Sequence, residues 1–203
     1  MKRNNKKVIG ITGGIGAGKS TVLEYILQNY KVDVIRADEI GHILMEPGES
    51  VYEALVANYG RGILMFDDLI DTEKLATIAF KDAESQRRIN EIEHPLIKEE
   101  ILARIRYASA PVVFVEAALL KEGGLTDVCD QVWYVTAPVE ERIDRLIVSR
   151  SYSYEKCVSI MNRQLSEEAF AKIADAVINN GEDFYTTIQT VDQLMKKIGA
   201  ERK

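Results

Sequence analysis

Short runs of Val and Ile alternate with longer stretches in which apolar residues recur every third or fourth position. That alternation predicts a parallel β-sheet joined by crossover helices. Strands are expected at Lys7–Thr12, Val32–Arg36, Pro111–Glu116, Gln131–Thr136 and Ala176–Ile178. Helical spacing covers Lys19–Asn29, Glu39–Glu46, Ser50–Asn58, Asp71–Phe80, Ala83–Ile92, Pro95–Ala108, Val139–Arg150, Tyr154–Arg163, Ser166–Ala171 and Asp183–Ile198. Between Ala37 and Ala110 there are helical patterns but no convincing strand. This interval reads as a helical insertion over the carboxyl edge of the sheet, the edge at which open α/β sheets bind ligands.

The first strand runs directly into Gly13-Gly14-Ile15-Gly16-Ala17-Gly18-Lys19-Ser20, which matches the phosphate-binding loop G-x-x-x-x-G-K-[ST]. A polyphosphate needs donors that approach closely, and glycines at 13, 14, 16 and 18 let successive backbone N–H groups turn inward around it. Lys19 adds a full charge toward the β/γ bridge, and the Ser20 hydroxyl is placed to ligate Mg²⁺. The amphipathic stretch from Thr21 puts the loop at a helix N-terminus, where the macrodipole favours anions. The loop makes this chain a candidate NTP-handling enzyme, the alternative being a glycine-rich turn that matches by chance.

Composition narrows the setting. With 203 residues and 46% hydrophobic content, one α/β domain with a sizeable core is expected. The 26 basic and 32 acidic residues give a net charge of -6, which disfavours a broad nucleic-acid surface but not a local anion site. Cys129 and Cys157 are too few and too isolated for a disulfide framework or a Cys-rich zinc site, and read as buried thiols. No apolar run approaches membrane-spanning length and the basic Met1 to Lys7 leads into a strand, so the cytoplasm is the expected compartment.

Three further features bear on chemistry. Asp38 follows the second strand, where a carboxylate can accept the proton of an acceptor hydroxyl in line with a γ-phosphate; the same position suits a cap on the next helix. Glu116 ends an apolar strand, as does the carboxylate that holds Mg²⁺ through water in phosphate-loop enzymes, although any solvated strand end has this appearance. Arg142 and Arg145 share a helix face and Arg150 lies beyond them; such arginines can close over transferring phosphates, or simply pair with Glu140, Glu141 and Asp144.

Taken in order, Ile9 to Thr21, Ala37-Asp38-Glu39-Ile40 with Pro47-Gly48, Ile89-Asn90-Glu91-Ile92-Glu93-His94-Pro95-Leu96-Ile97, Leu119-Leu120-Lys121-Glu122, the arginine stretch, Gln164 and Ala174 to Gly181 resemble the dephospho-coenzyme A kinases over nearly the whole chain. The resemblance implies a P-loop NTPase fold like that of nucleoside monophosphate kinases. Its parts would be a five-stranded core (7–36, 111–138, 174–203), a helical acceptor-binding region (37–110) and a small lid (139–173). The implied reaction moves the ATP γ-phosphoryl to the ribose 3′-hydroxyl of dephospho-coenzyme A with Mg²⁺. Asp38 matches the family's proposed base, Gly16 to Thr21 its ATP loop (Ala17 included) with Gly13 and Gly14 also on the nucleotide, and Arg142 with Arg150 its lid arginines, while Asn179-Asn180 falls where ATP's adenine is contacted. His94 and Leu119 fall on the acceptor side, where His94-Pro95 also reads as a helix start with Pro at its first position. A monomer or weak homo-oligomer is implied, with no nucleic-acid or membrane partner.

Arg36, Thr72 and Ala118 depart from that family's usual Asp, Arg and Pro, and the arginine stretch is one residue longer before Arg150. A regulatory GTPase is a poor alternative, because Asp38-Glu39-Ile40-Gly41 follows Lys19 too closely and no Asn-Lys-x-Asp sequence follows. A nonenzymatic nucleotide-binding module leaves Asp38 and the arginines without work. A kinase for another small hydroxyl or monophosphate acceptor is the closer rival, since the loop and the fold do not name the acceptor.

Overall fold

A computed structural model describes residues 6–118, 120–121, 123–181 and 183–203. Its elements, in chain order, are β1 (Lys7–Thr12), α1 (Lys19–Asn29), β2 (Val32–Arg36), α2 (Ala37–Leu44), α3 (Ser50–Tyr59), α4 (Thr72–Ala79), α5 (Ala83–Tyr107), β3 (Val112–Glu116), β4 (Gln131–Thr136), α6 (Val139–Arg150), α7 (Tyr154–Met161), α8 (Glu167–Ile173), β5 (Ala176–Asn179) and α9 (Phe184–Lys197). Five strands form one sheet in the order β2-β3-β1-β4-β5. The sheet is parallel, with Ile11 in register with Glu116 on one side and Trp133 on the other. β1 is therefore central, and its carboxyl end emerges between those of β3 and β4.

Burial explains why β1 and β4 read as near-continuous apolar runs: a central parallel strand is covered on both faces. Ile9, Ile11, Phe114, Trp133 and Val135 pack with Val22, Leu23 and Ile26 of α1 and Val191 and Met195 of α9. Phe114 and Trp133 meet edge to face at 5.3 Å. At the opposite edge from the loop, aspartates receive amides at or just before the starts of strands. Val8 N–H donates to Asp130 at 2.8 Å, Val132 N–H to Asp175 at 2.8 Å and Ala110 N–H to Asp33 at 2.8 Å.

Most expected boundaries hold to within one or two residues, and caps account for several of the shifts. Asp71, Ser153, Ser166 and Asp183 accept the N–H three residues on, so the regular helices start one residue later than each of them. Two expectations change. The helices anticipated at Ala83–Ile92 and Pro95–Ala108 are a single helix, α5, with Pro95 inside it. Its missing N–H forfeits one bond while helical residues on either side carry the turn through. α2 starts at Ala37, earlier than expected, with Arg36 in an extended conformation (φ -103, ψ 113) as its N-cap.

Two compact units emerge: the sheet unit, comprising the segments up to Ile35 and from Ile105 onward, and a helical unit spanning Arg36–Arg104. Within the helical unit α2 packs on α3, and Leu64 and Ile70 form a short antiparallel bridge. Among the described residues no helix is long and apolar enough to cross a membrane. Cys157 is buried and Cys129 is partly buried, and the two are not joined to each other in a disulfide.

Candidate active site

The loop after β1 departs from the sheet at Thr12 and enters α1 through Gly18, which sits in the left-handed region at φ 87. Gly16 is left-handed too, at φ 80, and a Cβ there would stand 2.6 Å from the Arg142 carbonyl oxygen. A Cβ on Gly18 would stand 2.1 Å from Nδ2 of Asn180. Both positions therefore demand glycine by backbone conformation and by close neighbours. No side chain caps the start of α1. Its first amides are thus left without a side-chain cap, the arrangement found at helix ends that bind anions. The Lys19 ammonium donates to the Gly13 carbonyl at 2.8 Å, so the cation arches over the loop it serves. Ser20 and Thr21 are exposed on the first turn of the helix.

Side chains from other elements brace this loop. Asn180, just past β5 and buried, donates through Nδ2 to the Ala17 carbonyl at 3.0 Å. Its own carbonyl accepts from Arg145 Nη2 at 2.7 Å, and Arg145 also pairs with Glu141 at 3.1 Å. Arg145 Nη1 is buried with no hydrogen-bond partner among the described residues, and the same holds for Thr12 Oγ1. Asn179 is exposed; its Oδ1 accepts the Gly181 N–H at 3.0 Å, an Asx turn. Arg142, only 4% exposed, donates through Nε to the Ile15 carbonyl at 2.9 Å and pairs through Nη1 with Glu167 at 2.7 Å. Arg150, the last residue of α6, is exposed.

Tyr134, on β4, donates its hydroxyl to Glu167, and Thr136 donates to the same carboxylate oxygen at 2.9 Å. Burial, with the Glu167 contact added, pushes the Tyr134 phenol up to about 12, so it remains a donor throughout the neutral range.

Glu116 closes β3 and is half-buried beside the β1 carboxyl end. Asp38 is exposed in the first turn of α2, two residues past β2. It is not that helix's N-cap, so the capping alternative drops out. His42 Nδ1 lies 2.7 Å from the Asp38 carbonyl. His94 lies in mid-helix in α5, half-buried, and not at a helix start. Leu119 is outside the described residues. Sequence reasoning gave Glu167 and Tyr134 no role, and named Gln164 only within a family pattern. Their contacts join distant segments and leave no local signature.

A triphosphate cradle of this construction fits its ligand: it combines a helix N-terminus, a bridging lysine, a hydroxyl on the first turn and an unpartnered buried guanidinium N–H. Among the described residues no cluster of three or more His, Cys, Asp or Glu is set to cage a metal. Ser20, exposed on the first turn of α1, and Glu116, at the end of β3, offer oxygen donors of the kind Mg²⁺ takes.

A glycine loop between a central parallel strand and a helix, with its lysine, hydroxyl and arginines, defines a phosphotransferase of the P-loop class. A family model described as Dephospho-CoA kinase matches residues 7–185. A Dephospho-CoA kinase of Listeria monocytogenes is 36% identical over 188 residues, 91% of this chain and 94% of its own. A crystal structure from Thermus thermophilus superposes with a TM-score of 0.83 at 26% identity, covering 96% of this chain and 99% of that one. A structure titled as a dephospho-CoA kinase from Campylobacter jejuni shares the fold, with a TM-score of 0.65 at 24% identity and coverage of 95% and 97%. The chain belongs to the dephospho-CoA kinase family. It is a kinase for ATP-dependent phosphorylation of dephospho-coenzyme A, the last step of coenzyme A biosynthesis.

Proposed function

We propose that the chain moves the γ-phosphoryl of ATP to the ribose 3′-hydroxyl of dephospho-coenzyme A, with Asp38 as the base that orients and deprotonates that hydroxyl. The observation that carries the donor half is the loop from Gly13 to Ser20 at the N-terminus of α1, its lysine already turned inward. Exposure of Asp38 on the first turn after β2 supports the acceptor half, since a base must be reachable by its substrate.

Loop amides and Lys19 hold the β- and γ-phosphates. Ser20, directly, and Glu116, through water, would hold Mg²⁺, which would supply positive charge to the phosphates. Arg142 is committed to Ile15 and Glu167, whereas Arg145 offers a buried N–H without a partner and Arg150 stands exposed. Arg145 and Arg150 are therefore assigned to the charge that spreads over the transferring group. His94 belongs to acceptor positioning and Asn179-Asn180 to the nucleotide side. Rate comes from positioning and electrostatics, and no phosphoenzyme forms. The protein acts in the cytoplasm as a monomer or weak homo-oligomer.

The test is to incubate the protein with Mg·ATP and, separately, dephospho-coenzyme A, AMP, CMP and shikimate, and to measure ADP. Strong release with dephospho-coenzyme A alone is expected, and the product should carry its new phosphate at the 3′ position. Equal release with another acceptor would reject the substrate assignment.

A further inference from the structure

Ile15 stands between Gly14 and Gly16, with Gly13 before them, so three of the loop's first four residues are glycine. Such a stretch has more backbone freedom than any other, and fixing each residue costs about 1–2 kcal/mol. Something outside the loop has to hold it in a phosphate-binding shape.

The structure places that support at Ile15. Its N–H donates to Gln164 Oε1 at 2.8 Å, and its carbonyl accepts from Arg142 Nε at 2.9 Å. Its side chain packs against the cluster of Ile143, Leu146 and Cys157, where α6 meets α7. Arg142 is itself fixed by Glu167, and Glu167 by Thr136 and Tyr134 at the end of β4. The guanidinium lies so close under the loop that a Cβ on Gly14 would stand 2.0 Å from Nη2. Both polar backbone groups of Ile15 are thus committed to residues of the 139–173 segment. Its N–H is turned toward Gln164 and is not offered to a ligand.

We infer that Ile15 is the joint through which α6, α7 and α8 set the shape of the phosphate loop, with Gln164, Arg142 and Glu167 as positioning residues for the nucleotide. The inference deepens the kinase reading and rests on it for the identity of the ligand. Cutting either tether leaves the glycine stretch disordered in the free protein, and its ordering then has to accompany each binding event. Nucleotide affinity falls while the acceptor side is untouched.

Gln164→Met removes one tether, Glu167→Ala removes the partner that fixes the other, Arg142, and Glu167→Gln keeps an acceptor for Arg142; both sites are partly exposed. ADP binding by calorimetry needs no acceptor. The Kd for ADP and the KM for ATP should rise about tenfold in Gln164→Met and Glu167→Ala, the size of one lost hydrogen bond. In Glu167→Gln the rise should stay below about threefold, and the KM for dephospho-coenzyme A should remain within about twofold in all three. Unchanged ADP affinity in Gln164→Met would overturn the inference, as would Glu167→Gln behaving like Glu167→Ala, or both KM values moving together. If Glu167→Ala melts below the assay temperature, Gln164→Met, a replacement of similar size, decides. Should the wild-type protein bind ADP but not phosphorylate dephospho-coenzyme A, the acceptor assignment fails and the binding arm still tests the joint.

Discussion

At the scale of single residues, what was legible is what chemistry had packed into adjacent positions. The loop from Gly13 to Ser20 announces itself because phosphate binding needs those residue types at that spacing. Asp38 was visible as an acid after a strand, and its place in the first turn of α2, not before it, removes capping as its reason for being there. Asp38→Asn keeps the size of the side chain and removes the base, so kcat should fall by about 10²–10⁴-fold with the KM for ATP little changed. Near-normal turnover would dismiss Asp38 from that role. Tyr134 was hidden because a tyrosine inside an apolar strand looks like core. Its phenol, raised from an ordinary 10 to about 12, makes a sharper statement about pH. A group whose folded value is raised contributes fully below its unfolded value and loses that contribution as pH climbs through the folded one. The stability advantage of the wild-type protein over Tyr134→Phe should accordingly hold up to about pH 10 and shrink toward about pH 12, as chemical denaturation at stepped pH would show.

At the scale of elements, periodicity located the strands to within a residue, because parallel strands buried on both faces carry dense β-branched runs. Helix ends were less legible where a cap residue looks like the first helical one, as at Asp71 and Asp183. Pro95 misled most, since the rule that Pro starts helices competes with the fact that a long helix tolerates one lost bond. It follows that Pro95→Ala, exposed and mid-helix in α5, should restore an amide donor and raise stability by about 1–3 kcal/mol. A lower melting temperature would mean that the proline is fitted to its surroundings. The braces on the loop were illegible for a different reason: Arg142, Gln164 and Glu167 lie on or beside three different helices, and only folding brings them to Ile15.

At the scale of the molecule, a net charge of -6 is no bar to the proposed anion site, because fixed dipoles, Lys19 and arginines can concentrate positive potential locally. The other end of α1 is held by the carboxyl-terminal residues. Tyr30 bridges to Arg202, Lys31 N–H donates to the Glu201 carbonyl and Lys203 N–H to Asn29, each at 2.9 Å, while Asp192 accepts from Tyr25, Tyr30 and Arg202 at 2.8, 2.7 and 2.7 Å. None of this was foreseen, since the terminal residues carry no periodic signal. Removing residues 201–203 should lower the melting temperature by about 2–6 °C. An unchanged melting curve would show the contacts to be idle. The tight seating of Gly16 and Gly18 against Arg142 and Asn180 also bears on which substitutions a lineage can explore. A library screened only for abundance of folded protein should already lose alanine at both sites, before any selection for growth. Exposed Ser20 should pass that screen freely and be purged only when the cell depends on the product.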